Sequence, residues 1–286
     1  VGSEMCIRDR DCLRMKRIGM LTSGGDCQAL NAAMRGVVKG LSNNVDELEI
    51  YGFHNGYKGL IYGDYRLLTS ADFSGILTKG GTILGSSRQP FKQMRVPDEN
   101  GLDKVEAMKQ TYHKLNLDCL VILGGNGTQK TANLLREEGL NVVHLPKTID
   151  NDLMFTDHTP GYGSAAKYIA ATIKGIICDS SVYNLNSVTV VEIMGRHTGW
   201  LAGAASLAAG ADCNGPDMIL LPERAFDEKA FLAKVSQLEK ERHTLVIAVS
   251  EGVKNKDGEF LCDLVSGPGA VDAFGHKAAL SGTARY

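Results

Sequence analysis

Short runs of continuous apolar residues recur along most of the chain. Each ends in a polar or glycine-rich tip, and most are followed by a helix-periodic stretch. Residues 18–21 form the first run and stop at Thr22-Ser23-Gly24-Gly25-Asp26, and the next stretch puts Ala29, Ala32, Ala33, Gly36 and Val37 on one predicted helix face. A second run covers 48–53. A helix is predicted over 103–115, with Val105, Met108 and Tyr112 aligned. The run at 119–123 leads straight into Gly124-Gly125-Asn126-Gly127-Thr128. A helix over 129–138, a strand over 142–145 and the polar loop 146–152 follow. The second half reads as helix 164–177, strand 187–193, helix 198–209, strand 218–221, helix 227–241 and strand 245–249. Strands without polar alternation are buried on both faces, which calls for mostly parallel sheets covered by helices, an α/β fold. Ligands of such sheets lie beyond the carboxyl ends of the strands, so chemistry is sought in the tips.

At roughly 150 residues per domain the 286 residues suggest two domains or one large unit, with a boundary in the long polar stretch 150–161. A net charge of −2 argues against a dedicated nucleic-acid binder, and no apolar run approaches the ~20 residues that span a bilayer. Seven cysteines, at 6, 12, 27, 119, 178, 213 and 262, are scattered and never spaced Cys-x-x-Cys, which fits a reducing cytoplasm and gives neither a disulfide framework nor a zinc site. Residues 1–14 are polar and irregular and read as a non-native or disordered leader before Met15. The end at Ala284-Arg285-Tyr286 reads as an interrupted helix.

Glycine lets the backbone turn sharply and approach a ligand, and the start of the next helix aims amides at the same spot. Ser23-Gly24-Gly25-Asp26 and Gly124–Thr128 therefore suit an anion such as phosphate, although one such turn is explained equally well by tight packing. Gly80-Gly81-Thr82 and Gly85-Ser86-Ser87-Arg88 add weight; neither Walker A nor dinucleotide spacing is met. Arg88 is either a phosphate clamp or a solvated surface arginine. Pro146-Lys147-Thr148-Ile149-Asp150-Asn151-Asp152 carries two carboxylates suited to a base and a metal or water contact, or to capping a turn. Met194-Gly195-Arg196-His197 and Ser250-Glu251-Gly252 end two further strands.

In this order the segments 21–26, 80–88, 124–128, 146–152, 194–200 and 250–252 resemble the phosphofructokinase family. The resemblance covers Met15 to Gly252 and continues loosely to Tyr286. It implies two Rossmann-like α/β domains with the active site in the cleft between them. Residues 15–150 would bind the phosphoryl donor, 151–265 the sugar phosphate, and 266–286 would be a truncated C-terminal segment. It also implies transfer of a phosphoryl group from ATP to the 1-hydroxyl of fructose 6-phosphate. Gly25, Arg88, Gly125, Asn126, Gly127 and Thr128 would bind the donor, with Lys147 beside them. Thr148 and Asp150 would lie at the acceptor hydroxyl, with Asp150 as base and Asp152 close by. Met194, Gly195, Arg196 and Glu251 would hold the sugar phosphate, and Mg2+ would lie near Asn126.

Some positions depart from the family pattern. Gly127 favours ATP, because pyrophosphate users carry Asp there, whereas Lys147 is typical of pyrophosphate users. Asn126 replaces an Asp that helps hold magnesium. Ser187 stands where many members have an arginine reaching a neighbouring subunit. The family's basic residues for the 6-phosphate lie beyond Tyr286, so the chain as given is expected to bind fructose 6-phosphate weakly. Arg35 and Lys39 match a basic effector-site helix or an ordinary solvated face. A homotetramer is implied by resemblance alone. A pyrophosphate-dependent enzyme and a non-catalytic effector-binding paralogue are the competing readings. A lipid or NAD kinase would leave segments 146–152 and 194–197 unexplained.

Overall fold

The computed structural model describes residues 15–266 and 282–286; the expectations for the leader 1–14 and for most of the segment 266–286 lie outside the described residues. The chain divides into two compact units, Val1–Thr148 and Ile149–Tyr286.

The first unit is built on a five-stranded sheet of order β3-β2-β1-β4-β5. Its strands are β1 (Lys16–Ser23), β2 (Leu48–Phe53), β3 (Tyr65–Leu68), β4 (Cys119–Gly124) and β5 (Val142–Pro146). All neighbours are parallel except β2 and β3, and the central pair sets Ser23 beside Gly124. The helices are α1 (Leu30–Ser42), α2 (Tyr57–Tyr62), α3 (Lys104–Lys114) and α4 (Asn126–Glu137). Leu120 and Ile122 of β4 enter a core with Phe53, Tyr57, Met108 and Leu135. Val121 and Leu123 are buried too and, by strand alternation, face the other side. That double burial is what a continuous apolar run demands.

The predicted face of α1 is corrected. Leu30, Asn31, Met34 and Val38 are buried, while Gly36 is exposed. Larger side chains at i, i+4 and i+8 displace the alanine stripe because they remove more apolar surface from water. Asn31 is buried for a polar reason: its amide donates to Lys79 O at 3.0 Å and its oxygen accepts from Ile83 N at 2.8 Å, fastening the Gly80–Thr82 loop. Arg35 donates to Phe73 O at 2.5 Å and Lys39 is exposed.

The second unit has a parallel sheet of order β6-β8-β7, with β6 (Ser187–Ile193), β7 (Met218–Leu220) and β8 (Thr244–Ser250). Helices α5 (Tyr162–Ser180), α6 (Trp200–Gly203), α7 (Glu228–Leu238) and α8 (Leu261–Ser266) flank it. Ile173, Ile193, Leu201, Ala205 and Ala248 form one core cluster, against which Ile149 packs. The single helix expected over 198–209 is corrected to a four-residue α6 followed by a 3-10 turn, Ala204–Ala208. Ser206 Oγ donates to Gly203 O at 2.8 Å, and such back-bonding to the preceding turn competes with the α-helical ladder. The chain end at Thr283–Arg285 is likewise a 3-10 turn. No disulfide joins the cysteines of the described residues. Among the described residues, no helix is long and apolar enough to cross a membrane.

His144 of β5 is half-buried, its Nε2 has no hydrogen-bond partner among the described residues, and burial holds its pKa below the ordinary 6.5. As pH falls below about 6.5 the unfolded chain takes up this proton first. The neutral ring's contribution is therefore present above that pH and is lost as pH drops through the folded value. His144→Phe is expected to flatten the pH dependence of unfolding free energy between about pH 7 and 5. Denaturant melts with the same slope in both proteins would sink this assignment.

Candidate active site

In the first unit the tips of β1, β4 and β5 are brought together by sheet order. Gly24 takes φ +90°, a left-handed backbone that glycine adopts without strain. The Gly85–Arg88 loop closes over it: Gly24 N donates to Ser87 O at 3.3 Å, Ser86 Oγ to Gly24 O at 2.5 Å, and Thr22 Oγ1 to Gly85 O at 2.8 Å. Arg88 is exposed, and its Nη2 lies 4.0 Å from where a Cβ on Gly25 would stand.

Helix α4 starts at Asn126, three residues earlier than its predicted start at 129, with Gly125 as N-cap. The glycine-rich segment is thus the helix start itself, so the first-turn amides and the positive dipole end belong to residues 126–128. Thr128 pins this start to the β1 tip. Its Oγ1 donates to Ser23 O at 3.3 Å and its carbonyl accepts from Tyr57 Oη at 2.8 Å. A Cβ on Gly124 would fall 2.4 Å from Thr128 Cβ, so only glycine permits this approach. Asn126 and Gly127 are exposed, and nothing lies within 4 Å of a Cβ built on Gly127.

Lys147 is only 6% exposed, and its ammonium donates to Gly25 O. It stands 3.5 Å from a Cβ built on Gly24, inside the glycine cradle. This buried ammonium, held against the Gly25 carbonyl, places a positive charge at the tip of β1. Thr148 ends this unit, half-buried.

In the second unit Asp150 is half-buried and Asp152 exposed. Between them Asn151 has φ +53° and is buried; its Oδ1 accepts from Thr159 N at 2.8 Å and Thr159 Oγ1 at 3.1 Å, and its amide donates to Asp157 O at 3.1 Å. The asparagine therefore shapes the turn that separates the two carboxylates. Thr198 Oγ1 donates to Asp150 O at 2.9 Å.

After β6, Gly195 has φ +124° and donates its N–H to Glu251 Oε1 at 3.0 Å, while Ser250 Oγ donates to Gly195 O at 2.6 Å. Met194 is exposed and Arg196 half-buried, its guanidinium 5.8 Å from the Phe260 ring centre. Gly252 leaves room for the Arg196 carbonyl, which would sit 2.0 Å from an added Cβ. Thr283 Oγ1 donates to Glu251 O at 2.9 Å, and Glu192 accepts from the amides of Gly282 and Ala284 at 3.1 and 3.0 Å. Ser187 is exposed at the start of β6.

The structure thus gathers Gly25, Arg88, Gly125–Thr128 and Lys147 in the first unit. In the second, Gly195 meets Glu251 with Arg196 next in the chain, and Asp150 is tied to the same loop only through its carbonyl and Thr198. The motif reading missed Asn151 and the placement of Lys147 on the β1 tip. A lone Asn between two Asp residues was the only sequence signal for the first. For the second there was only a lysine at a strand end.

The phosphofructokinase family model matches residues 17–278. The chain belongs to the phosphofructokinase family. Its relatives include a protein from Spirochaeta thermophila named ATP-dependent 6-phosphofructokinase, 46% identical over 250 residues, an alignment taking in 85% of this chain and 65% of that one. The chain therefore spans just under two thirds of that relative's length. A pyrophosphate–fructose 6-phosphate 1-phosphotransferase of Amycolatopsis mediterranei is 40% identical over 262 residues, 91% of this chain and 71% of that one. Among solved structures, the pyrophosphate-dependent phosphofructokinase of Nitrosospira multiformis superposes with a TM-score of 0.74 at 30% identity, covering 85% of this chain and 62% of that one. Phosphofructokinases named for either donor thus share this chain's fold or sequence.

Magnesium is implied by the family. The described residues hold no group of three or more His, Cys, Asp or Glu side chains able to bind a metal. What the Gly124–Thr128 segment offers is the exposed Asn126 at the start of α4. That set fits a hard cation carried mainly on phosphate oxygens, which is how Mg2+ is usually bound, rather than an all-protein cage.

Proposed function

We propose that the protein transfers the γ-phosphoryl group of ATP to the 1-hydroxyl of fructose 6-phosphate, giving fructose 1,6-bisphosphate in cytoplasmic glycolysis. The observation that carries the reading is the glycine cradle of the first unit. In it the α4 start is pinned to the β1 tip through Thr128 and Ser23, with Arg88 beside Gly25, in a chain 46% identical over 250 residues to an ATP-dependent 6-phosphofructokinase.

In this reading residues 15–150 bind the donor, 151–265 the sugar phosphate, and the assembly is a homotetramer. Amides of Gly125, Asn126, Gly127 and Thr128 and the Arg88 guanidinium bind the donor's phosphate oxygens. Asp150, beside Thr148 and Asp152, takes the proton from the 1-hydroxyl as that oxygen bonds to the γ-phosphorus and ADP leaves. Met194, Gly195, Arg196 and Glu251 orient the sugar phosphate, which turns an encounter into an in-line transfer. Asn126 would help hold magnesium beside the donor's phosphates, and the metal would supply charge neutralisation there.

A second reading has one specific observation behind it. The Lys147 ammonium bonded to Gly25 O would suit a compact, highly charged donor, namely pyrophosphate. The test is fructose 1,6-bisphosphate formation by the full-length gene product with magnesium, ATP and pyrophosphate being offered separately. Product with ATP alone is expected. Product with pyrophosphate alone would give Lys147 the decision. No product with either, while fructose 6-phosphate still binds, would leave the effector-binding reading.

A further inference from the structure

The loop after β6 is braced at both ends by carboxylates that follow two other strands. At its start Gly195 N–H meets Glu251, on the tip of β8. At its end Gly199 N–H donates to Glu223 Oε1 at 2.7 Å, and Glu223 follows β7. The fit at the second brace is close, since a Cβ on Gly199 would lie 2.7 Å from Glu223 Oε2 and 2.8 Å from Leu221 Cδ2. Gly199 is itself buried, so its N–H needs a partner in the protein. Between the braces lie Arg196 and Thr198, and the Thr198 hydroxyl continues the chain of contacts to the Asp150 carbonyl.

We infer that Glu223 is a positioning residue for the sugar-phosphate loop. It fixes Gly199, hence the path of Arg196, and through Thr198 the backbone of Asp150. This rests on the phosphofructokinase reading of the site. Glu223 is assigned no contact with the substrate. It acts through the loop, at the end opposite the Gly195–Glu251 contact. A charge-assisted hydrogen bond to a buried amide is strong, and losing it leaves the donor unsatisfied.

The test compares Glu223→Ala with Glu223→Gln in the full-length gene product. The glutamine keeps an acceptor oxygen of the same reach. Glu223→Ala is expected to lower kcat/KM for fructose 6-phosphate by about 10- to 100-fold, chiefly through KM, and to raise amide exchange at residues 195–199. Glu223→Gln should stay within about threefold of the parent, because its acceptor is retained. Glu239→Ala, which removes an exposed carboxylate at the end of α7, controls for charge. An unchanged KM and unchanged exchange in Glu223→Ala would overturn the inference. So would a glutamine variant as impaired as the alanine one. If the parent neither turns over nor binds fructose 6-phosphate, the phosphofructokinase reading fails instead. Amide exchange at 195–199 then still decides whether Glu223 holds the loop.

Discussion

Changing Asp150 to Ala is expected to lower fructose 1,6-bisphosphate formation by about 10²- to 10⁴-fold, the usual contribution of a positioned general base. Sugar binding should barely change. The tie from Thr198 goes to the Asp150 backbone carbonyl, and the turn that follows is set by the Asn151 side chain, so both survive removal of the carboxylate. Arg196, Gly195 and Glu251 remain in place. Calorimetric titration of fructose 6-phosphate alongside the rate measurement separates the two effects. Turnover that persists while binding is lost would remove Asp150 from the base role and leave it as a substrate contact.

Gly127→Asp is expected to collapse ATP-supported turnover by about 10³-fold while leaving stability unchanged. Nothing in the protein lies within 4 Å of the new Cβ, so the fold has room for the side chain. A carboxylate in the first turn of α4 is even mildly favoured by the helix dipole. The donor, in contrast, would meet a like charge. Two such charges about 4 Å apart at a surface-like dielectric repel by about 4 kcal/mol, which corresponds to about three orders of magnitude. The measurements are ATP- and pyrophosphate-dependent rates together with a thermal melt. An undiminished ATP rate would show that the donor's phosphates pass nowhere near residue 127. A lower melting temperature would show that the open space is needed by the chain itself.

The strands were legible in the sequence as apolar runs, and residues 48–53 and 187–193 match β2 and β6 to the residue. Burial on both faces holds for β4 and β8, whereas in β6 only Ile193 is buried. Helix α3 was equally clear, with Asp103 capping Val105 and Glu106 and with Val105, Met108 and Tyr112 buried. What escaped was structure set by tertiary contact. Gly125–Thr128 looked like a loop because glycines disfavour helix, yet Thr128 bonded to Ser23 draws the helix start back to Asn126. Strand β3 and helix α2 were missed because their patterns are short and mixed, and packing of Tyr57 and Leu60 decides them. The site motifs stood out as glycines and acids placed after apolar runs. Their braces did not, since Glu223 meets Gly199 and Lys147 meets Gly25 only once sheet order has brought distant strand tips together.

That sheet order also governs the protein during synthesis. The central strand β1 pairs on one side with β2, at 48–53, but on the other with β4, which begins only at Cys119. At about 5–20 residues per second the ribosome needs roughly 5–20 s to pass from the end of β1 to the start of β4. Through that interval a nascent chain holds an open edge rich in Ile18, Met20 and Leu21, all of them buried once β4 arrives. The antiparallel β3 closes the far side of the β1–β2 pair early and cannot help the near one. Pausing codons placed between residues 24 and 118 should therefore raise aggregation of newly made protein, whereas pauses after residue 146, once β5 has covered the outer edge of β4, should not.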